Sequence, residues 1–202
     1  MASPRVRRPP GPKIGVLDLA RELEKLPDER FTSDEVTDFL MHHPVEPSSL
    51  EPFRLFRTER YTRNLVSGND RFEVILICWP EGVSTPIHNH EGQSCWVYVL
   101  SGKLAFTTYK WLGCERDKRV MHLELASHIP VAAEGSLNVI DERDAIHRLS
   151  NEASFSDRAL SLHVYAKPLT TCAIYDVNTG SCWDQTLKYD SISGRPVVGF
   201  SQ

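Results

Sequence analysis

The spacing of apolar residues changes once along this chain. Between Leu17 and Leu26 the positions Leu19, Ala20, Leu23 and Leu26 fall three and four apart, one stripe of an α-helix, and Pro27 ends it. Thr32 and Glu35 have the spacing of a capping box, followed by Val36, Phe39 and Leu40 as the apolar face of a second helix that Pro44 and Pro47 close. Ser48 to Phe53 has room for one further short turn. From about Tyr61 the period becomes two. Tyr61 to Val66 reads as a strand, Ser67-Gly68-Asn69-Asp70 as a turn, and Phe72 to Trp79 is apolar on both faces, the pattern of a central strand. Cys95 to Leu100 and Leu104 to Thr108 read as strands turning at Ser101-Gly102, and short strands are expected at His122 to Leu125, Leu137 to Ile140 and Ala159 to Tyr165. Two helices followed by many short strands predict a mainly β fold, a sandwich or barrel with N-terminal helices over about residues 15–53. With no repeat, linker or second core pattern, residues 15–202 are expected to form one domain behind a disordered, basic, Pro-rich tail over residues 1–14.

Composition then excludes several classes. A formal net charge of -4 leaves no basic footprint for nucleic acid. No apolar run approaches the roughly 20 residues of a membrane-spanning helix, and the N-terminus lacks the apolar core of a secretory signal. The five cysteines, Cys78, Cys95, Cys114, Cys172 and Cys182, are odd in number and contain no CxxC pair, which argues against a disulfide framework or a zinc knuckle. A reducing, cytoplasmic setting is expected. Charge and the even scatter of polar residues suggest a monomer. His42 and His43 read as the solvated end of the second helix, where positive charge meets the helix dipole favourably.

The chemistry concentrates between Gly82 and Gly102. His88 and His90 stand two apart in an extended segment, so both imidazoles leave one face of the backbone and can reach one point. Alone, such a pair is more often two surface histidines. Here it sits in the pattern Gly82-x5-His88-x-His90-x4-Cys95-x6-Gly102, which resembles the first cupin motif with Cys95 where most cupins place a metal-binding glutamate. His147-x3-Asn151 resembles the second motif in part, since Asp141-Glu142-Arg143-Asp144 replaces the Pro and Gly expected before the histidine. The resemblance implies a cupin-type small β-barrel or jelly roll. His88, His90 and His147 would supply three neutral imidazoles and no carboxylate, leaving about three positions open on an octahedral ion, which suits an anionic chelating substrate plus a gas. Ligand count leaves iron and zinc both open.

Three further stretches sharpen the resemblance. Arg60-Tyr61-Thr62-Arg63-Asn64-Leu65-Val66, the HxH with Cys95 five residues on, and Ser161-Leu162-His163-Val164-Tyr165 together resemble cysteine dioxygenase, as do Thr171-Cys172 and Asp176-x2-Thr179-Gly180, over roughly residues 53–200. That resemblance implies Fe(2+) held by His88, His90 and His147, a thioether cross-link between Cys95 and Tyr165, and a substrate carboxylate bound by Arg63 with Tyr61. It places Ser161 and His163 in line with the cross-linked tyrosine. The implied reaction is oxidation of free L-cysteine by O2 to L-cysteine sulfinic acid. The residue types fit: Ser161, His163 and Tyr165 alternate on one strand and can form a hydrogen-bonded row, and a guanidinium matches a planar carboxylate. Two departures stand out. Ala166-Lys167-Pro168 replaces the Ser-Pro-Pro run common in the family, so that a trans Lys167 would reshape the pocket wall, and Asn89 stands where Asp is common, facing away from the metal. The alternatives are a dioxygenase for another small thiol, 3-mercaptopropionate or cysteamine, and a cupin that binds metal without turnover.

Overall fold

The computed structural model describes residues 11–31, 33–115, 120–140 and 146–198. Two helices open the chain, α1 (Val16–Glu24) and α2 (Ser33–His42), with 3-10 turns at Asp28–Arg30 and Pro47–Phe53. The strands follow as β1 (Thr62–Gly68), β2 (Glu73–Trp79), β3 (Val83–Ser84), β4 (Ile87–His88), β5 (Cys95–Ser101), β6 (Lys103–Glu115) and β7 (Val120–Ala133). The remainder are β8 (Leu137–Ile140), β9 (Ile146–Asn151), β10 (Ala159–Tyr165), β11 (Thr171–Asp176), β12 (Ser181–Thr186), β13 (Ser191–Ile192) and β14 (Arg195–Pro196). One sheet runs β14-β13-β1-β2-β10-β5-β8; the other runs β12-β11-β4-β9-β6-β7, with β3 added on β9. This is the mainly β, two-sheet architecture with N-terminal helices that the alternation predicts.

Burial explains why the first sheet is central. Every residue of β2 and β10 is buried, so each strand carries two apolar faces. Val74, Leu76, Cys78, Leu160, Leu162 and Val164 pack outward against the helices, where Val16, Leu19 and Leu23 of α1 and Val36 and Leu40 of α2 complete one core. Ile75, Ile77, Trp79, Val97 and Val99 point the other way and meet Leu104, Phe106 and Leu149 of the second sheet in another. Each fully buried aliphatic side chain here contributes about 1.5–3 kcal/mol of transfer free energy. The Trp96 indole N–H donates to Thr37 Oγ1 at 3.1 Å, tying α2 to β5.

The first helix starts at Val16, where the helical cap is expected, and backbone contacts precede it. Residues 1–10 of the expected tail lie outside the described residues, but Gly11 N–H donates to His42 O, and Ile14 pairs with Val45 in an isolated parallel bridge. Thr32, the expected cap of α2, and Asp141-Glu142-Arg143-Asp144 also lie outside the described residues. The strand expected at His122 to Leu125 is only part of β7, which runs 14 residues against β6 with three register shifts. Most of β7 faces solvent, so the apolar alternation that would have shown its length is missing.

Candidate active site

The two sheets bring different chemistry to one interior space. The second sheet supplies the imidazoles: His88 on β4 and His147 on β9 are direct antiparallel partners, and His90 lies just beyond β4. Ring centroids lie 4.4 Å apart for His88 and His147, 4.5 Å for His90 and His147, and 5.3 Å for His88 and His90. One nitrogen from each falls within 4.8 Å of the others. All three rings are buried. Burial, the largest cause, lowers His88 to about 4 and His90 well below the usual histidine range, so both rings are neutral with lone pairs available. His88 Nδ1 lies 3.0 Å from the Pro86 carbonyl; as the donor there, it leaves Nε2 as the lone-pair nitrogen. Neither His90 nitrogen has a hydrogen-bond partner among the described residues, and a bound cation would take up the lone pair of one of them. This donor set fits a divalent transition metal. Asn89 between the ligands turns away, its amide oxygen accepting from Ala173 N–H at 2.8 Å and so pinning the ligand segment to β11.

The first sheet supplies a row of polar side chains. Ser161, His163 and Tyr165 share the inner face of β10. The Trp79 indole N–H donates to Ser161 Oγ at 2.8 Å, Ser161 Oγ lies 2.8 Å from His163 Nε2, and His163 Nδ1 lies 3.5 Å from the Tyr165 hydroxyl. An indole N–H can only donate, so Ser161 accepts there and keeps its own proton and a second lone pair for the contact with His163 Nε2. With Ser161 as the donor to Nε2, the neutral ring carries its proton on Nδ1, which faces the phenol oxygen and, at 3.9 Å, Cys95 Sγ. Burial lowers His163 to about 3, which keeps the ring neutral. The Tyr165 ring stands 5.2 Å from that of His90.

Cys95 faces Tyr165 directly across the β5/β10 pairing, and both are buried. Burial pushes the Cys95 thiol and the Tyr165 phenol well up, so both are protonated in the ground state. Arg63 and Tyr61 enter from β1 and the residues just before it. Arg63 is 7% exposed, its Nε has no hydrogen-bond partner among the described residues, and Tyr61 lies against Trp79 with centroids 5.2 Å apart. Both line a cavity of about 470 Å³ whose other walls include Pro86, Ile174, Trp183 and residues 185–190. All nine residues singled out from the sequence therefore converge on the space between the sheets. Asn151 does not join them: its amide bridges the carbonyls of Pro80 and Asp157 and braces the turn before β3.

Pattern alone missed two polar residues. Glu73 begins β2 opposite Tyr165, is 1% exposed, and accepts from Leu169 N–H at 3.0 Å and from the Tyr189 hydroxyl. Its one signal was an acid opening a strand that is otherwise apolar on both faces. Tyr189, distant in sequence, gave none. Lys167 has a trans peptide bond, as expected, and φ of 98°. Its N–H donates to Tyr165 O at 3.1 Å, so the chain turns sharply just after the phenol.

A family model described as cysteine dioxygenase type I matches residues 13–178. Human cysteine dioxygenase type 1 is 31% identical over 179 residues, covering 88% of this chain and 86% of that protein. The Bos taurus enzyme of the same name is 31% identical over 165 residues, covering 81% and 80%, and the Rattus norvegicus one is 30% identical over 179 residues, covering 88% and 86%. Among solved structures, a Klebsiella pneumoniae protein with a double-stranded β-helix domain covers 63% of this chain and 95% of its own, with 13% identity and a TM-score of 0.47. Sequence agreement running from the helical cap through β11 and across most of each relative's length establishes that this chain belongs to the cysteine dioxygenase type I family.

Proposed function

We propose that the chain is an iron-dependent dioxygenase that oxidises the thiol of free L-cysteine with O2 to L-cysteine sulfinic acid. Both oxygen atoms add to sulfur, so RSH and O2 account for every atom of RSO2H, the second step of the thiol oxidation ladder. The observation that carries this reading is the Cys95–Tyr165 pair, set cross-strand within the same interior space as three buried imidazoles. A site that only bound metal would need neither.

Iron held by His88, His90 and His147 would supply the redox chemistry toward O2 that side chains lack. The protein orients the reactants. Arg63 presents a buried guanidinium to the substrate carboxylate, assisted by Tyr61, and fixes the small molecule by its charged end. With Ser161 donating to its Nε2, His163 donates from Nδ1 to the Tyr165 oxygen, so the phenol's own proton is directed toward the reacting sulfur and oxygen. A Cys95–Tyr165 thioether would hold that ring in place and raise turnover without being essential to it. The five free thiols, two of them exposed, support a reducing, cytoplasmic setting, and we take the protein to act as a monomer.

Oxygen uptake by the iron-loaded protein with L-cysteine, cysteamine and 3-mercaptopropionate tests the reading. Uptake with L-cysteine and recovery of its sulfinate are expected. Preference for another thiol would move the substrate, and no uptake with any of them would leave a metal-binding module. An intact mass short by two hydrogens would report the thioether.

A further inference from the structure

Arg63 is held by residues outside the set that the sequence singles out. Its Nη2 lies 3.5 Å from Glu73 Oε1 and 3.4 Å from the Leu169 carbonyl, and the Tyr189 ring lies over the guanidinium with its centroid 5.5 Å from Cζ. The Tyr189 hydroxyl bonds the other oxygen of the same carboxylate. Glu73 therefore meets the cation and the ring that covers it, and fixes each relative to the other. The backbone around Tyr189 is pinned as well: Asp190 N–H donates to Arg63 O at 2.7 Å, Arg63 N–H donates to Asp190 Oδ2 at 3.0 Å, and Arg60 clamps the Asp190 carboxylate. The C-terminal segment thus closes over the guanidinium, on the wall that Arg63 and Tyr189 share in the 470 Å³ cavity.

We infer that Glu73 and Tyr189 are a positioning pair for Arg63, confining its guanidinium to the orientation that receives the carboxylate of a small thiol and so setting selectivity for carboxylate-bearing substrates. The cause is geometric. A long side chain loses considerable rotamer freedom when fixed, and a guanidinium already held by a carboxylate on one edge and a ring on one face meets its ligand without that loss. The effect belongs to ligands that bear a carboxylate. Cysteamine, which has the same thiol and amine but no carboxylate, serves as the internal control.

The inference rests on the assignment of Arg63 as the carboxylate site, and its test is binding rather than turnover. Anaerobic calorimetry of the iron-loaded protein measures the Kd of L-cysteine and of cysteamine for the unaltered chain, Tyr189→Phe and Glu73→Gln. In both variants the Kd for L-cysteine should rise about tenfold, the scale of one lost charge-assisted hydrogen bond, while that for cysteamine moves by less than about twofold. In turnover the same change should appear in KM more than in kcat. Tyr189 is only half-buried, so Tyr189→Phe keeps the test decisive if Glu73→Gln does not fold. Parallel losses for both ligands would assign the pair a structural role and overturn the inference. Tighter L-cysteine binding in Glu73→Gln would also overturn it, since Glu73 would then be competing with the substrate for the guanidinium. Absent oxygen uptake in the unaltered protein sinks the dioxygenase reading instead, and leaves the Kd comparison to decide this one.

Discussion

At the scale of single residues, the site is a set of buried polar groups whose partners decide their chemistry. Arg63 is the clearest case, a guanidinium 7% exposed with an unsatisfied Nε. Arg63→Ala should raise the KM for L-cysteine by about 10- to 100-fold through loss of its charge-assisted bonds, with a much smaller change for cysteamine. Steady-state kinetics on the two substrates checks it, and an unchanged KM for L-cysteine would move the carboxylate site elsewhere. The same substitution leaves Glu73 buried without its cation, so a lower Tm should accompany the kinetic change. Trp79 shows how a residue away from the imidazoles bears on the row: its N–H cannot accept, so it takes one lone pair of Ser161 and holds that hydroxyl against His163 Nε2.

At the scale of elements, the positions of the reactive groups depend on how β10 is reached. Gly102 lies in the turn between β5 and β6 at φ 74°, and a Cβ there would meet Arg158 O at 2.5 Å and Ala159 Cα at 2.9 Å, at the start of β10. Gly102→Ala should therefore destabilise the protein by about 2–4 kcal/mol, left-handed backbone cost and overpacking together, read as a fall in the denaturation midpoint. A midpoint close to that of the unaltered chain would mean the turn relaxes freely. Elements differ in how far the sequence reveals them. Val74 to Trp79 is legible because burial on both faces makes it an apolar run, and Ala159 to Tyr165 because Leu160, Leu162 and Val164 alternate with the polar row. Ile146 to Asn151 is hidden because a ligand, His147, and a brace, Asn151, replace the hydrophobic residues a buried strand would carry. All six residues of β12 are exposed, so no face is marked. His147 and Arg63 are reached through the family resemblance, whereas the His88 and His90 pair and the Ser161 to Tyr165 row could be read from spacing because each lies within one local segment. Glu73 and Tyr189 could not, because their contact joins β2 to the C-terminal segment and leaves no mark in either stretch alone.

At the scale of the whole molecule, acid stability follows from the buried rings. Burial holds His163 to about 3 and His88 to about 4, against about 6.5 in an unfolded chain. The folded state then binds fewer protons than the unfolded one. The stability these rings contribute is complete above pH 6.5 and is lost as pH falls from there toward 4 and 3, by up to about 1.4 kcal/mol per pH unit per ring. Denaturant titration of the metal-free protein should show a midpoint that is level from pH 7 to 8 and falls steeply below 6.5. A level profile down to pH 5 would mean that the rings accept protons while folded. The cross-strand pair Cys95 and Tyr165 carries a consequence for unfolding as well. A carbon–sulfur bond between them would tie β5 to β10 and close a covalent ring of about 70 residues that contains His147, worth about 4 kcal/mol of lost disorder in the unfolded chain. Thiol reductants leave a thioether intact, so molecules that had formed it would remain stapled through every later cycle of unfolding. One population would then carry a durable chemical record of its oxidation and refold from a more restricted ensemble than the other.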